Sequence, residues 1–221
     1  MDAANKQMRV LVVTSVEAER DAVLRGLGED SRFTVGIGGV GPMAAAARTA
    51  RMLATSEPYD LVVCAGISGG FVGQAEVGSL VVSGEIVCAD LGAETPEGFC
   101  SLDELGFGSA TVPVDRELAA RVTDALRAAG LPVKMGTVLT LSTVTGTAQT
   151  AEELARRMPG ALAEAMEGYG VAVAAQEFGV PVLELRAVSN AIGPRDKSAW
   201  RIKEALAALE AASSVLREGL R

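Results

Sequence analysis

The chain contains no histidine, and that absence narrows the chemistry open to it. Histidine is the usual acid–base group near neutral pH and the commonest nitrogen ligand of transition metals. Ser-His-Asp and Cys-His arrangements are therefore excluded. Proton transfer must fall to Asp, Glu, Lys, Tyr or Cys, and with 28 acidic residues against 20 basic ones the carboxylates are the first candidates. Cys64, Cys88 and Cys100 are odd in number and lack metal-type spacing, which predicts reduced thiols in a cytoplasm. Neither a metal nor a cofactor is expected. One glycine motif competes for attention: Gly36-Ile37-Gly38-Gly39-Val40-Gly41 satisfies G-x-G-x-x-G, with Asp60 downstream. A dinucleotide fingerprint normally occupies the opening strand-turn-helix of its domain, and here a complete strand and helix pattern come first. The motif is better read as a tight turn against a ligand or a neighbouring backbone.

Alternating strand and helix patterns must position these groups. Arg9 to Thr14, Phe33 to Ile37, Leu61 to Ala65, Leu80 to Cys88, Val138 to Ser142 and Val182 to Ser189 read as apolar strands. Between them, helices are expected over Glu17 to Leu27, from Pro42 to about Ala54, after Asp115, over Glu152 to Met158 and from about Ala163 to Phe178. A last helix carries Ile202, Ala205, Leu206, Leu209 and Leu216 on one stripe. The alternation predicts an α/β fold, a three-layer α/β/α domain around a central mixed, mostly parallel sheet. In such sheets ligands bind at the carboxyl ends of strands. The loops there are Ser15 to Glu19, Gly66 to Gly70, Ser142 to Gly146 and Ser189-Asn190, and they should face one another.

The 221 residues, 49% hydrophobic and 22% charged, suit one folded domain with a sizeable core. Residues 1–7 are expected to form a flexible tail and 8–221 a single domain. The longest apolar runs are strand-sized, short of the roughly 20 residues a membrane helix needs, and Met1 to Gln7 has no apolar signal segment. A net charge of −8 disfavours a nucleic-acid partner. A soluble cytoplasmic protein is the expectation.

Five segments occur in a telling order: Val13 to Glu19 at the end of the first strand, Gly66-Ile67-Ser68-Gly69-Gly70, Val77 to Ser83, Ala165-Met166-Glu167-Gly168 on a helix, and Arg186-Ala187-Val188-Ser189-Asn190. Together they resemble the purine nucleoside phosphorylase/hydrolase superfamily, in its methylthioadenosine/S-adenosylhomocysteine nucleosidase branch. The closing Ser189 to Asp196, then Trp200, is most similar to the futalosine hydrolases, which remove hypoxanthine from futalosine in menaquinone biosynthesis. The resemblance implies cleavage of the N-ribosidic bond of a purine nucleoside, and a homodimer or higher homo-oligomer. It implies that Glu19 is the acid–base group activating water and that Glu167 accepts hydrogen bonds from ribose hydroxyls. It further implies that Met166 lies under the sugar, that Val144 and Thr145 meet the purine through their backbone, and that Ile67 and Ser68 line the substrate site. Glu17 is the expected bystander, and Glu164 an ordinary solvated helix carboxylate.

Departures from the family pattern refine this. Phosphorolytic relatives hold phosphate with an arginine and a serine where this chain has Cys64 and Ile67, which favours water as nucleophile; Ser68, one residue displaced, keeps phosphorolysis open. Adenine-cleaving relatives have aspartate where Asn190 stands. A side-chain amide can donate to the two-acceptor edge of a 6-oxopurine, so Asn190 points to hypoxanthine or guanine, although it cannot serve as a general acid. Arg195 is a candidate partner for the carboxylate at the 5′ end of futalosine. An adenine nucleosidase and a nucleoside-binding protein without catalysis remain the competing readings.

Overall fold

The computed structural model describes residues 7–220; the expected tail falls, apart from Gln7, outside them. Strands β1 (Val10–Thr14), β2 (Phe33–Ile37) and the first half of β3 (Leu61–Gly70) form a parallel block in the order β2-β1-β3. β10 (Val182–Ala191) runs parallel to β3 along its other edge. β4 (Leu80–Cys88) pairs antiparallel with β10 and parallel with β8 (Val133–Thr140). β9 (Ala161–Ala165) pairs parallel with β8 and antiparallel with the tip of β3. The path β3-β10-β4-β8-β9 thus returns to β3, so a mixed, mostly parallel sheet closes into a ring at one end and lies open at the other. The short β7 (Thr111–Pro113) adds to β4, and β5 (Gly92–Thr95) with β6 (Gly98–Ser101) forms a separate hairpin.

Helices cover both faces because these strands are apolar on both. Val10, Val12 and Val63 turn toward α1 (Glu17–Leu27), α3 (Arg116–Ala128) and α6 (Ile202–Gly219), against Val23, Leu126 and Leu209 among others. Their neighbours Leu11, Val13, Val62 and Cys64 turn the other way, toward α2 (Pro42–Ala54) and α5 (Gly168–Glu177). That is the period-two alternation of a strand buried on both sides. The helix signals in the sequence are realised locally. Pro42 takes the first position of α2, and the Asp115 carboxylate accepts the Leu118 N–H at 3.0 Å to cap α3. α4 (Ala148–Arg157) carries the Glu153–Arg157 pair at 3.3 Å.

Three expectations need correcting. Gly66 to Gly70 is no loop but the second half of β3. The helix expected from Ala163 is a strand followed by a bend; α5 begins only at Gly168. Ala, Leu, Glu and Met are strong helix formers, but here they fill a slot between two strands that supply ladder partners, and tertiary pairing overrides propensity. Ile202 is 40% exposed, so the buried stripe of α6 runs through Ala205, Leu209, Ala212 and Leu216 instead.

Candidate active site

The site lies where the sheet forks. On one edge β3 pairs with β1 as far as Cys64, and with β9 only from Gly69. The backbone between them lacks a strand partner on that edge, and a side chain fills the gap. Ile67 N–H donates to Glu19 Oε1 at 2.8 Å, while Ser15 and Val16 N–H donate to Glu19 Oε2 at 2.9 and 3.3 Å. Glu19 is the third residue of α1, so its carboxylate also satisfies the N-cap end of that helix. Val16 has no acceptor to reciprocate. Glu19 is buried, whereas Glu17, two residues earlier, is exposed.

Gly66 explains how a second group reaches the same spot. A Cβ there would sit 2.6 Å from Glu19 Oε1 and 2.7 Å from Arg186 Nη1, so only glycine admits both side chains. The Arg186 guanidinium is 1% exposed and fully engaged. It donates to Glu184 Oε1 at 2.7 Å, to Glu167 Oε2 at 3.3 Å and to the Ile67 carbonyl at 3.4 Å, and it contacts Cys64 Sγ at 3.3 Å. Glu167 Oε1 also accepts the Gly41 N–H at 3.3 Å, so the glycine motif before α2 meets a carboxylate. Burial raises the Glu184 pKa, opposed by Arg186. Burial also works against the Arg186 charge, but the carboxylates of Glu184, Glu167 and Glu19 raise its pKa well above the ordinary arginine value. Burial pushes the Cys64 thiol well up, so it stays protonated.

Three residues farther along β3, roughly 10 Å, a cavity of about 90 Å³ opens beside Gly69, walled by Val144, Thr145, Glu164, Asn190 and Trp200. Asn190 reaches it through a β-bulge: Val188 pairs with Ser68 but Asn190 with Gly69, leaving Ser189 as the extra residue. Asn190 Oδ1 accepts from Ser189 Oγ at 2.9 Å and Nδ2 donates to the Ala191 carbonyl at 3.0 Å. One amide N–H is left for a ligand. Arg195 stacks over Trp200 at 5.2 Å and lines this same cavity, not the carboxylate cluster.

The residues expected from sequence therefore fall into two groups along β3. Glu19, Ile67 and Glu167 gather around Gly66; Val144, Thr145 and Asn190 surround the cavity at Gly69. Met166 is half-buried in the bend between β9 and α5, and the Ser68 hydroxyl is buried without a hydrogen-bond partner. Glu164 is a correction: far from being a solvated helix carboxylate, it is 5% exposed on β9 and walls the cavity. Burial raises its pKa, while hydrogen bonds from Thr145 oppose the rise. Sequence reasoning gave no role to Arg186 or Glu184 either. Their signal was present, since Val182-Leu183-Glu184-Leu185-Arg186 puts opposite charges two apart, hence on one face, in an otherwise apolar strand.

The sequence matches the phosphorylase superfamily over residues 9–219. It is 53% identical over 221 aligned positions to the futalosine hydrolase of Streptomyces coelicolor, covering 91% of this chain and 92% of that one. It is 46% identical to the futalosine hydrolase of Acidothermus cellulolyticus, covering 93% and 89%. In fold it is similar to the futalosine hydrolase of Helicobacter pylori (TM-score 0.81, 18% identity, 96% and 98% covered). It is likewise similar to the 5′-methylthioadenosine/S-adenosylhomocysteine nucleosidase of Neisseria meningitidis in complex with methylthio-immucillin-A (TM-score 0.80, 20% identity, 95% and 99% covered). The two structural likenesses speak for the α/β architecture; the sequence identities go further. The chain belongs to the phosphorylase superfamily and, within it, to the futalosine hydrolases.

Proposed function

We infer that the protein hydrolyses the N-ribosidic bond of futalosine, releasing hypoxanthine and dehypoxanthine futalosine, as a cytoplasmic enzyme of menaquinone biosynthesis. The observation that carries this is the pair of buried carboxylates, Glu19 and Glu167, gathered with Arg186 around Gly66, three residues along β3 from the cavity at Asn190. Glu19, held by backbone donors, activates the attacking water. Glu167 accepts hydrogen bonds from ribose hydroxyls, contacts that strengthen as positive charge grows on the sugar in the transition state. Met166 forms the floor under the sugar, with Ile67 and Ser68 beside it. Val144 and Thr145 flank the base, and Asn190 donates to its 6-oxo edge; an amide cannot protonate the leaving purine, so Asn190 stabilises it by donation alone.

Water, not phosphate, is supported as nucleophile by the state of the one cation in the cluster. Arg186 is buried and already paired with two carboxylates, and the position that carries arginine in phosphorolytic relatives is Cys64. The Arg186 charge is thus committed to Glu167 and Glu184 and not free to hold a dianion. The test is product analysis with and without phosphate, on futalosine, inosine, methylthioadenosine and adenosylhomocysteine. Futalosine should be cleaved to free sugar at a rate independent of phosphate; a sugar 1-phosphate product would refute hydrolysis. A homodimer is also inferred, on the apolar face argued below.

A further inference from the structure

Glu164 is a buried carboxylate on the wall of the Asn190 cavity that the reaction above leaves unused. Its Oε1 accepts the Thr145 N–H at 2.8 Å and its Oε2 the Thr145 hydroxyl at 2.5 Å. Its position in the sheet is specific. Gly69 on β3 is the register partner of Asn190 on β10 and, across its other edge, of Glu164 on β9. Residues paired directly across neighbouring strands project to the same face. Asn190 and Glu164 therefore flank a residue without a side chain, their backbones about 10 Å apart, two inter-strand spacings. Both wall the cavity. The result is a flat slot with an amide at one side and a carboxylate at the other.

The edge of a 6-oxopurine presents, in order around the ring, acceptor N7, acceptor O6 and donor N1–H. A 6-aminopurine presents acceptor N7, a donor amino group and acceptor N1. The free N–H of the Asn190 amide suits O6 or N7. The next position is N1, and there the two bases have opposite polarity. An ionised carboxylate only accepts, and each of its oxygens can accept more than one hydrogen bond. Glu164 also occupies the Thr145 N–H, a donor that an acceptor N1 would require. Resting on the reading that the substrate is a 6-oxopurine nucleoside, we propose that Glu164 is a specificity-determining residue: it accepts the N1–H of the base and rejects 6-aminopurines, whose N1 lone pair would face its carboxylate.

The test is equilibrium binding of free hypoxanthine, adenine and 1-deazahypoxanthine, which has C–H in place of N1–H, to the wild-type protein and to Glu164→Gln. A hydrogen bond to a charged group is worth a factor of about 10 to 150. The wild type should bind hypoxanthine over 1-deazahypoxanthine by such a factor. In Glu164→Gln the hypoxanthine-to-adenine ratio should fall by a similar one, because glutamine can also donate. If Glu164 only braced the Thr145 loop, the variant would weaken both bases alike and leave the ratio unchanged, which would overturn the proposal. Should the variant fail to fold, equal wild-type affinity for hypoxanthine and 1-deazahypoxanthine would overturn it alone. A wild type that cleaves futalosine but shows no N1–H preference sinks only Glu164's role, whereas one that cleaves the 6-amino analogue and spares futalosine sinks the substrate reading.

Discussion

Both oxygens of Glu19 are occupied by backbone donors, Oε1 by Ile67 and Oε2 by Ser15 and Val16, and this changes what a conservative substitution does. In Glu19→Gln the amide nitrogen must face one of these N–H groups whichever way it is turned. The variant should therefore lose stability as well as its base. Turnover is expected to fall by about 10²–10⁴-fold, with a stability loss of about 1–3 kcal/mol from the opposed donors; steady-state kinetics and thermal melts check the two effects separately. A catalytic loss with an unchanged melting temperature would mean that the carboxylate is not held as described. Gly66→Ala probes the same spot from the backbone, since its methyl would meet Glu19 Oε1 at 2.6 Å and Arg186 Nη1 at 2.7 Å. The expected result is a folded protein with strongly reduced kcat/KM, because the two side chains must separate to admit the methyl.

At the scale of an element, β10 departs from an ordinary buried strand by carrying Glu184 and Arg186 into the core. Removing one member of a buried pair typically costs about 3–5 kcal/mol, because the partner keeps an uncompensated charge. Arg186→Met should therefore destabilise strongly, in a pH-dependent way. Burial already raises the Glu184 pKa and Arg186 opposes the rise, so losing Arg186 raises it further. A carboxyl whose folded pKa exceeds its unfolded value, about 4.3, is neutral in both states below that value. Above it the unfolded chain gives up its proton first, so stability falls as pH climbs toward the folded pKa and levels off beyond it. The melting-temperature deficit of Arg186→Met should be largest near pH 8 and shrink toward pH 5; a constant deficit would mean that Glu184 is not its source. The elements themselves were unevenly legible in the sequence. Pro42, Asp115 and the valine-rich strands carry local signals that the structure realises directly. β9 carries none, because Ala161-Leu162-Ala163-Glu164-Ala165 is extended only on account of β8 and β3 beside it. That one misassigned element hid Glu164, since a carboxylate on an isolated helix has every reason to face water. Glu19 and Asn190 stood out because each lies near the end of a legible strand, Glu19 in the first turn of α1 just after β1 and Asn190 in the last residues of β10.

Across the whole molecule, one face of the described residues is more apolar than a water-facing surface calls for. Met43, 74% exposed, and Val40, 56% exposed, stand at the start of α2. Beside them a cavity of about 280 Å³ is lined by Met43, Ala46, Leu91, Tyr169 and Val173. Contiguous apolar surface of this kind marks interaction sites in soluble proteins, and the homodimer inferred above would place a second copy of the chain on it. The same segment holds Gly41, whose N–H reaches Glu167, so a copy seated on this face would sit next to a carboxylate of the site. Light scattering at micromolar concentration should give twice the 22.6 kDa chain mass. Met43→Glu places a charge that cannot be buried without a partner, and it should shift the protein toward the single-chain mass. If the partner copy holds the Gly41 turn against Glu167, kcat/KM should fall together with the dimer fraction as the variant is diluted. A single chain mass for the wild type at every concentration would exclude this interface, and a dissociated variant with undiminished kcat/KM would show that the face assembles the protein without supporting the site.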